Sequence, residues 1–138
     1  MIDIRKITAE DTLMVRHLVL WPDKPIDYVR ISNDEAGEHF GLYLDNELLS
    51  VISIFITETE VQFRKFATLN KHQGKGYGSK LFEYMLDQLK EKNVTRVWCN
   101  ARNDANDFYK RYGFSVVKDS VFYKGDIGYT VMQLKIEN

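Results

Sequence analysis

The spacing of apolar residues changes along this chain, and each change marks a structural element. Ile2 and Ile4 fall on one side of the first segment, as in a strand. Thr8 and Asp11 have capping-box spacing. A helix is therefore expected from about Ala9 to Leu20, turning Leu13, Met14, His17, Leu18 and Trp21 inward. Trp21-Pro22-Asp23-Lys24-Pro25 ends it, because proline has no amide hydrogen and restricts its predecessor. Ile26 to Ile31 reads as a short second helix and the polar run Ser32 to His39 as a loop. Phe40 to Leu44 and Leu48 to Thr57 read as a hairpin around the turn signal Asp45-Asn46-Glu47. Its second strand is apolar enough to be buried on much of both faces. Val61 to Leu69 is the next strand, and Arg64 and Lys65 interrupt its alternation where a bulge would fit.

From Tyr77 to about Lys92 the spacing becomes helical, with Leu81, Phe82, Met85, Leu86 and Leu89 on one face and Asn93 placed as a left-handed cap. Val94 to Asn100 returns to a strand, so this βαβ unit should pair its two strands in parallel. A short helix over Asp104 to Arg111 follows, with Asn103 as its expected N-cap, Ala105, Phe108, Tyr109 and Tyr112 inside, and Gly113 as its stop. Phe114 to Val117 and Tyr129 to Ile136 read as strands on either side of a loop or hairpin tip, Ser120 to Gly128. The pattern predicts a mixed α/β fold in one domain spanning 1–138.

The chain is long enough to bury a real core. Its 44% hydrophobic and 28% charged content is ordinary for a globular protein. A net charge of −1 argues against a general nucleic-acid binder. One cysteine forms no internal disulfide, and no apolar run is long enough to cross a membrane. The N-terminus has no signal-peptide pattern. A cytoplasmic protein is expected. Three scattered histidines and one cysteine make no metal-ligand cluster, so no metal is expected.

The distinctive chemistry lies in Gln73-Gly74-Lys75-Gly76-Tyr77-Gly78-Ser79, between a strand and a helix. Glycines there let the backbone turn and approach a ligand closely. The helix start offers unpaired N–H groups and the positive end of its dipole, which suit a phosphate or pyrophosphate. A connector that binds nothing is the bland alternative. The order of residues is wrong for a P-loop, where Gly-x-x-x-x-Gly-Lys precedes Ser or Thr. It is also wrong for a dinucleotide fingerprint, because the third glycine position is Ser79 and the next strand ends in Cys99-Asn100, without an acid.

Gln73-Gly74-Lys75-Gly76-Tyr77-Gly78 resembles the Gln/Arg-x-x-Gly-x-Gly/Ala signature of the GNAT family of N-acetyltransferases. Ala105-Asn106-Asp107-Phe108-Tyr109-Lys110-Arg111-Tyr112-Gly113-Phe114 resembles its second hallmark, Ala-x-x-Phe-Tyr-x-x-x-Gly-Phe. The close match covers roughly Phe63 to Phe114, and the remainder agrees in the order of elements. The resemblance implies an acyl-CoA N-acyltransferase fold. Such a fold has a central mixed, mostly antiparallel sheet of about seven strands, about four helices, and a parallel pair splayed around the CoA site. It also implies an enzyme that passes acetyl from acetyl-CoA to an amine, most simply a small molecule such as an amino acid. A protein amine, or a non-enzymatic acyl-CoA sensor, is the alternative. A homodimer is compatible with this reading; no nucleic-acid or membrane partner is expected.

By the same resemblance, the backbone of Gln73, Gly74, Lys75, Gly76, Tyr77, Gly78 and Ser79 would hold the pyrophosphate, with Lys71 and Lys75 adding charge. Ala67 and Thr68 would pair with the pantetheine arm. Tyr109 would protonate the leaving thiolate, and Asn106 could bond the CoA arm. Two features depart from the family pattern. Arg102 stands where many members carry asparagine. Gln62 to Leu69 contains no acid, so no general base carries over, and Glu58, Glu60, His17 and His39 qualify only by residue type. Arg16, Trp21 and Arg64 are candidates for the acceptor, the arginines as partners of a carboxylate or as members of internal ion pairs. Cys99 reads as an inert core residue.

Overall fold

The computed structural model describes residues 1–136. After strand β1 (Ile2–Ile7), the Thr8 hydroxyl accepts from the Asp11 amide at 3.2 Å and the Asp11 carboxylate accepts from the Thr8 amide at 3.1 Å. This reciprocal cap starts α1 (Ala9–Leu20) where the sequence puts it. The buried face of α1 differs from the expected one. Thr12, Leu13, Val15 and Arg16 are buried, whereas Met14 and Leu18 are 57% and 48% exposed. The face is rotated because the two terminal nitrogens of Arg16 are bonded internally, to Asp34, Ser53 and the Val29 carbonyl, and a cation so paired can point inward although its Nε has no partner. Residues Ile26–Val29 form a 3-10 turn in place of a second α-helix, and a further 3-10 turn spans Asp34–Ala36.

β2 (Glu38–Leu44) and β3 (Glu47–Thr57) form the expected antiparallel hairpin, turning through left-handed Asp45 and Asn46. Every residue from Leu49 to Phe55 is buried, so β3 is covered on both faces. β4 (Glu60–Thr68) carries a left-handed residue inside the strand, Lys65 at φ +54°, where the sequence alternation breaks. α2 (Tyr77–Leu89) buries Leu81, Phe82, Met85 and Leu89. It stops before Lys92 because the chain tightens to three-residue bonds, Lys90 N–H to the Asp87 carbonyl and Lys92 N–H to the Leu89 carbonyl. Asn93 is not left-handed and caps nothing there.

β5 (Arg96–Arg102) pairs in parallel with the start of β4 over Glu60↔Arg96, Val61↔Val97 and Gln62↔Trp98. The expected Asn103 cap is absent. That side chain accepts from the Thr130 hydroxyl at 2.7 Å, a 3-10 turn spans Asn103–Ala105, and α3 is confined to Asn106–Lys110. β6 (Ser115–Val116), β7 (Phe122–Lys124) and β8 (Ile127–Lys135) follow, the last two as a hairpin. The sheet has eight strands in the order β1-β2-β3-β4-β5-β8-β6, with β7 on β8, and every pair described is antiparallel except β4–β5.

The chain divides into two compact units. One comprises Met1–Phe55 and Arg64–Lys92; the other comprises Ile56–Phe63 and the chain from Asn93 onward. In the first, Val15, Val51 and Ala67 pack together with Ile7, Val19, Leu20, Leu48 and Leu69 around them. In the second, Val61, Phe63, Val97, Cys99, Phe114 and Met132 are buried. The valine, phenylalanine and methionine side chains among these each contribute about 1.5–3 kcal/mol by leaving water. Among the described residues, no helix is long and apolar enough to cross a membrane.

Candidate active site

In the first unit, β4 leads through a 3-10 turn, Asn70–His72, into the glycine loop. Gly74 and Gly76 sit at φ +77° and +87°, and a Cβ on either would meet nothing within 4 Å. Glycine is thus required there by backbone conformation, since side-chain room is ample. The Gln73 side-chain amide donates to the Thr68 carbonyl at 2.9 Å and to Asn70 Oδ1 at 3.1 Å, closing the loop on the strand that feeds it. At Gly78 a Cβ would lie 3.1 Å from Thr68 Oγ1 and 3.5 Å from the Phe66 ring. Phe66 in turn stacks on Phe82 of α2 at 5.6 Å, so the helix start is held against β4.

Gly76 is the N-cap of α2 and offers no side-chain bond, and the first turn contains no acid. Its leading N–H groups and the positive dipole end are left without a capping side chain. Lys71 and Lys75 are exposed beside it. The predicted pyrophosphate residues are thus assembled in one place, and their chemistry suits an anion. A residue that the sequence reading missed supports them. Ser50, fully buried in β3, donates to the Ala67 carbonyl at 3.1 Å and lies 2.8 Å from Thr68 Oγ1. Its signal was a hydroxyl inside the apolar run Leu49-Ser50-Val51, where a buried polar group must find a partner.

In the second unit, Tyr109 is buried and its ring packs against Phe63, Phe108 and Phe114 with centroids 5.4, 5.3 and 6.0 Å away. Burial raises the pKa of its phenol well above the ordinary value, and neighbouring Cys99 adds to the effect. The hydroxyl therefore holds its proton through neutral and mildly alkaline pH. Burial also pushes the Cys99 thiol up to about 12, against an opposing bond to the Met132 backbone. Asn106 begins α3, and its side-chain oxygen is buried without a hydrogen-bond partner.

The acceptor candidates differ in their surroundings. Arg16 is 0% exposed and forms an internal ion pair with Asp34, at 2.9 Å to each carboxylate oxygen, so it is closed to a substrate. Trp21 is half-buried and meets Tyr28 edge-on at 5.2 Å. Arg64 is half-buried on β4. His39 bonds Ser53 and the Asp34 carbonyl through its two ring nitrogens, His17 lies 2.6 Å from the Lys24 carbonyl, and Glu60 pairs with Arg96 at 3.0 Å. Glu58 is exposed at a left-handed turn. No group of three or more metal-binding side chains is found among the described residues.

Residues 26–136 match the acetyltransferase (GNAT) domain. The chain belongs to the GNAT family. It is 31% identical over 123 residues to YitI of Bacillus subtilis, itself an uncharacterized N-acetyltransferase, with 83% of each chain covered. It is 29% identical over 105 residues to the [ribosomal protein bS18]-alanine N-acetyltransferase of Haemophilus influenzae, covering 73% of this chain and 68% of that one. The crystal structure of an acyl-CoA N-acyltransferase from Pseudomonas aeruginosa superposes with a TM-score of 0.78 at 22% identity, covering 96% and 99% of the two chains. This GNAT protein is an enzyme, an N-acetyltransferase that uses acyl-CoA, and the non-enzymatic sensor reading falls away.

Proposed function

We propose that the enzyme passes the acetyl group of acetyl-CoA directly to the primary amine of a small molecule, with Tyr109 as the acid. The observation that carries the acid role is the buried Tyr109 phenol, whose pKa burial raises so that it keeps its proton. The amine attacks the thioester carbonyl, a C–N bond forms, and the C–S bond breaks. The departing thiolate takes the Tyr109 proton, and the proton shed by the attacking nitrogen passes to water, from which the phenol is reprotonated. The open N-terminus of α2 and the Gly74–Gly76 turn support a pyrophosphate there, with Lys71 and Lys75 adding positive charge. Ala67 and Thr68, fixed by Ser50, offer backbone to the pantetheine arm and an N–H to the developing oxyanion. The unpartnered Asn106 oxygen suits an amide N–H of the same arm.

Transfer to a protein α-amine is the second reading, favoured by the identity to the H. influenzae enzyme named for ribosomal protein bS18. Release of free CoA across a panel of small amines, amino acids, polyamines and N-terminal peptides separates the two. Tyr109→Phe tests the acid. The ring and its packing remain while the proton is lost, so kcat should fall about 100- to 10,000-fold. Acetyl-CoA affinity measured by calorimetry should change far less. The raised phenol pKa also means that wild-type kcat should show no alkaline limb from this group until well above its ordinary titration range. A normal kcat in the variant would remove Tyr109 from the chemistry.

A further inference from the structure

The helix that carries Tyr109 cannot hold its own place. α3 has five residues, and a helix so short is not stable alone. No side chain bonds the leading amides of α3 or of the 3-10 turn before it. Its orientation is therefore set by what holds the chain at each end. At the far end the Tyr109 carbonyl accepts from the Tyr112 and Phe114 amides at 3.0 and 3.2 Å. Left-handed Gly113 turns the chain back for the second of these bonds. At the near end the hold is Asn103. It follows β5 by one residue, where its neighbour Arg102 is paired with Tyr129 of β8. Asn103 Oδ1 accepts from the hydroxyl of buried Thr130 at 2.7 Å. Its Nδ2 lies so near Gly128 that a Cβ there would be 2.5 Å away, and the Tyr123 ring is 3.2 Å from the same point. A glycine beside a buried hydroxyl thus makes a slot of amide size on β8, and the residue that opens the connection to α3 is seated in it.

We infer that Asn103 is a positioning residue for the reaction: seated on Thr130 and Gly128, it sets the angle at which α3 presents the Tyr109 hydroxyl. This rests on the reading of Tyr109 as the acid. Proton transfer needs the phenol within hydrogen-bond reach of the leaving sulfur. A displacement of about 1 Å can cost about a hundredfold in rate. The 3-10 turn and α3 run without a break from Asn103 to Tyr109, so a tilt at the seat is carried to the hydroxyl. Direct contact of Asn103 with the cosubstrate is a poorer reading, because its oxygen is taken by Thr130 and its nitrogen lies against Gly128.

The test measures kcat at saturating acetyl-CoA for Asn103→Ala, Thr130→Val and Gly128→Ala, each alone and combined with Tyr109→Phe, with Tm as the check on folding. Thr130→Val keeps the shape of the side chain and removes the donor. Gly128→Ala should fold, because the nearest atom its Cβ meets is the end of a side chain that can swing away. Each single variant should lower kcat about ten- to a hundredfold, while acetyl-CoA affinity measured by calorimetry falls less. Asn103→Asp still accepts from Thr130, and position 103 is exposed enough to keep a carboxylate hydrated, so it should recover most of the rate. In the Tyr109→Phe background the same changes should cost little more, because the group they position is gone. A normal kcat in folded Thr130→Val and Gly128→Ala overturns the inference. A loss that multiplies with that of Tyr109→Phe, or one matched by lost affinity, also overturns it, and the acid reading then stands without it. If Tyr109→Phe alone turns over normally, both fail together.

Discussion

Two helices of the first unit begin in opposite ways. α1 closes its own N-terminus. Thr8 and Asp11 cap each other's amides, and Glu10 and Asp11 place negative charge in the first turn. α2 does neither. Its N-cap is a glycine, its first turn has no acid, and two exposed lysines lie just before it. The interiors show the reverse contrast. α2 buries an apolar stripe, while α1 buries a threonine and an arginine beside its leucine and valine. The lesson is that the end of a helix and its buried face answer to different demands. α1 is satisfied at its end and committed to an ion pair inside. α2 is satisfied inside and left incomplete at its end, where the proposed cosubstrate would complete it.

The contrast can be broken most severely at Gly76. Gly76→Val forces a β-branched residue into the left-handed region, at a cost of about 1–3 kcal/mol. Acetyl-CoA binding should weaken by about one to two orders of magnitude while circular dichroism stays that of a folded protein. Unchanged affinity would mean that the turn has no part in the site. A smaller and more diagnostic change gives α2 what α1 has. Ser79→Glu places an acid in the first turn, which should stabilise the free protein by about 0.3–1 kcal/mol. The same charge should weaken acetyl-CoA binding about tenfold by occupying the dipole and repelling phosphate. Tm and affinity moving in the same direction would contradict this. The smallest effect is expected from Thr8→Ala in α1. Loss of the cap should cost about 1 kcal/mol, seen as a lower midpoint in urea. KM for acetyl-CoA should not respond, and a rise would show that the two helix ends are not independent.

Elements with one dominant signal were legible in the sequence. The α2 stripe, the β3 run, the Asp45-Asn46 turn and the glycine loop each follow from local residue types, and the structure has each in its expected place. The misreadings arose where a distant partner decided the outcome. Arg16 turns inward because Asp34 and Ser53 meet it from 18 and 37 residues away, and no periodicity within α1 reveals this. Asn103 has the chemistry of a cap, but Thr130 on β8 claims its oxygen. Part of the candidate site was equally hidden. Gly74 to Gly78 could be read from spacing alone, whereas Ser50 gains meaning only when β3 lies beside the end of β4.

The setting of Cys99 has a consequence for measurement. A thiol attacks alkylating reagents as its thiolate. This one is 4% exposed, with a pKa pushed up to about 12, so in the folded second unit it is both shielded and protonated. It is also the only cysteine in the chain. Its labelling therefore acts as a clock. The rate of modification reports how often the packing around Tyr109 opens, without any engineered probe and separately from whether the enzyme is turning over.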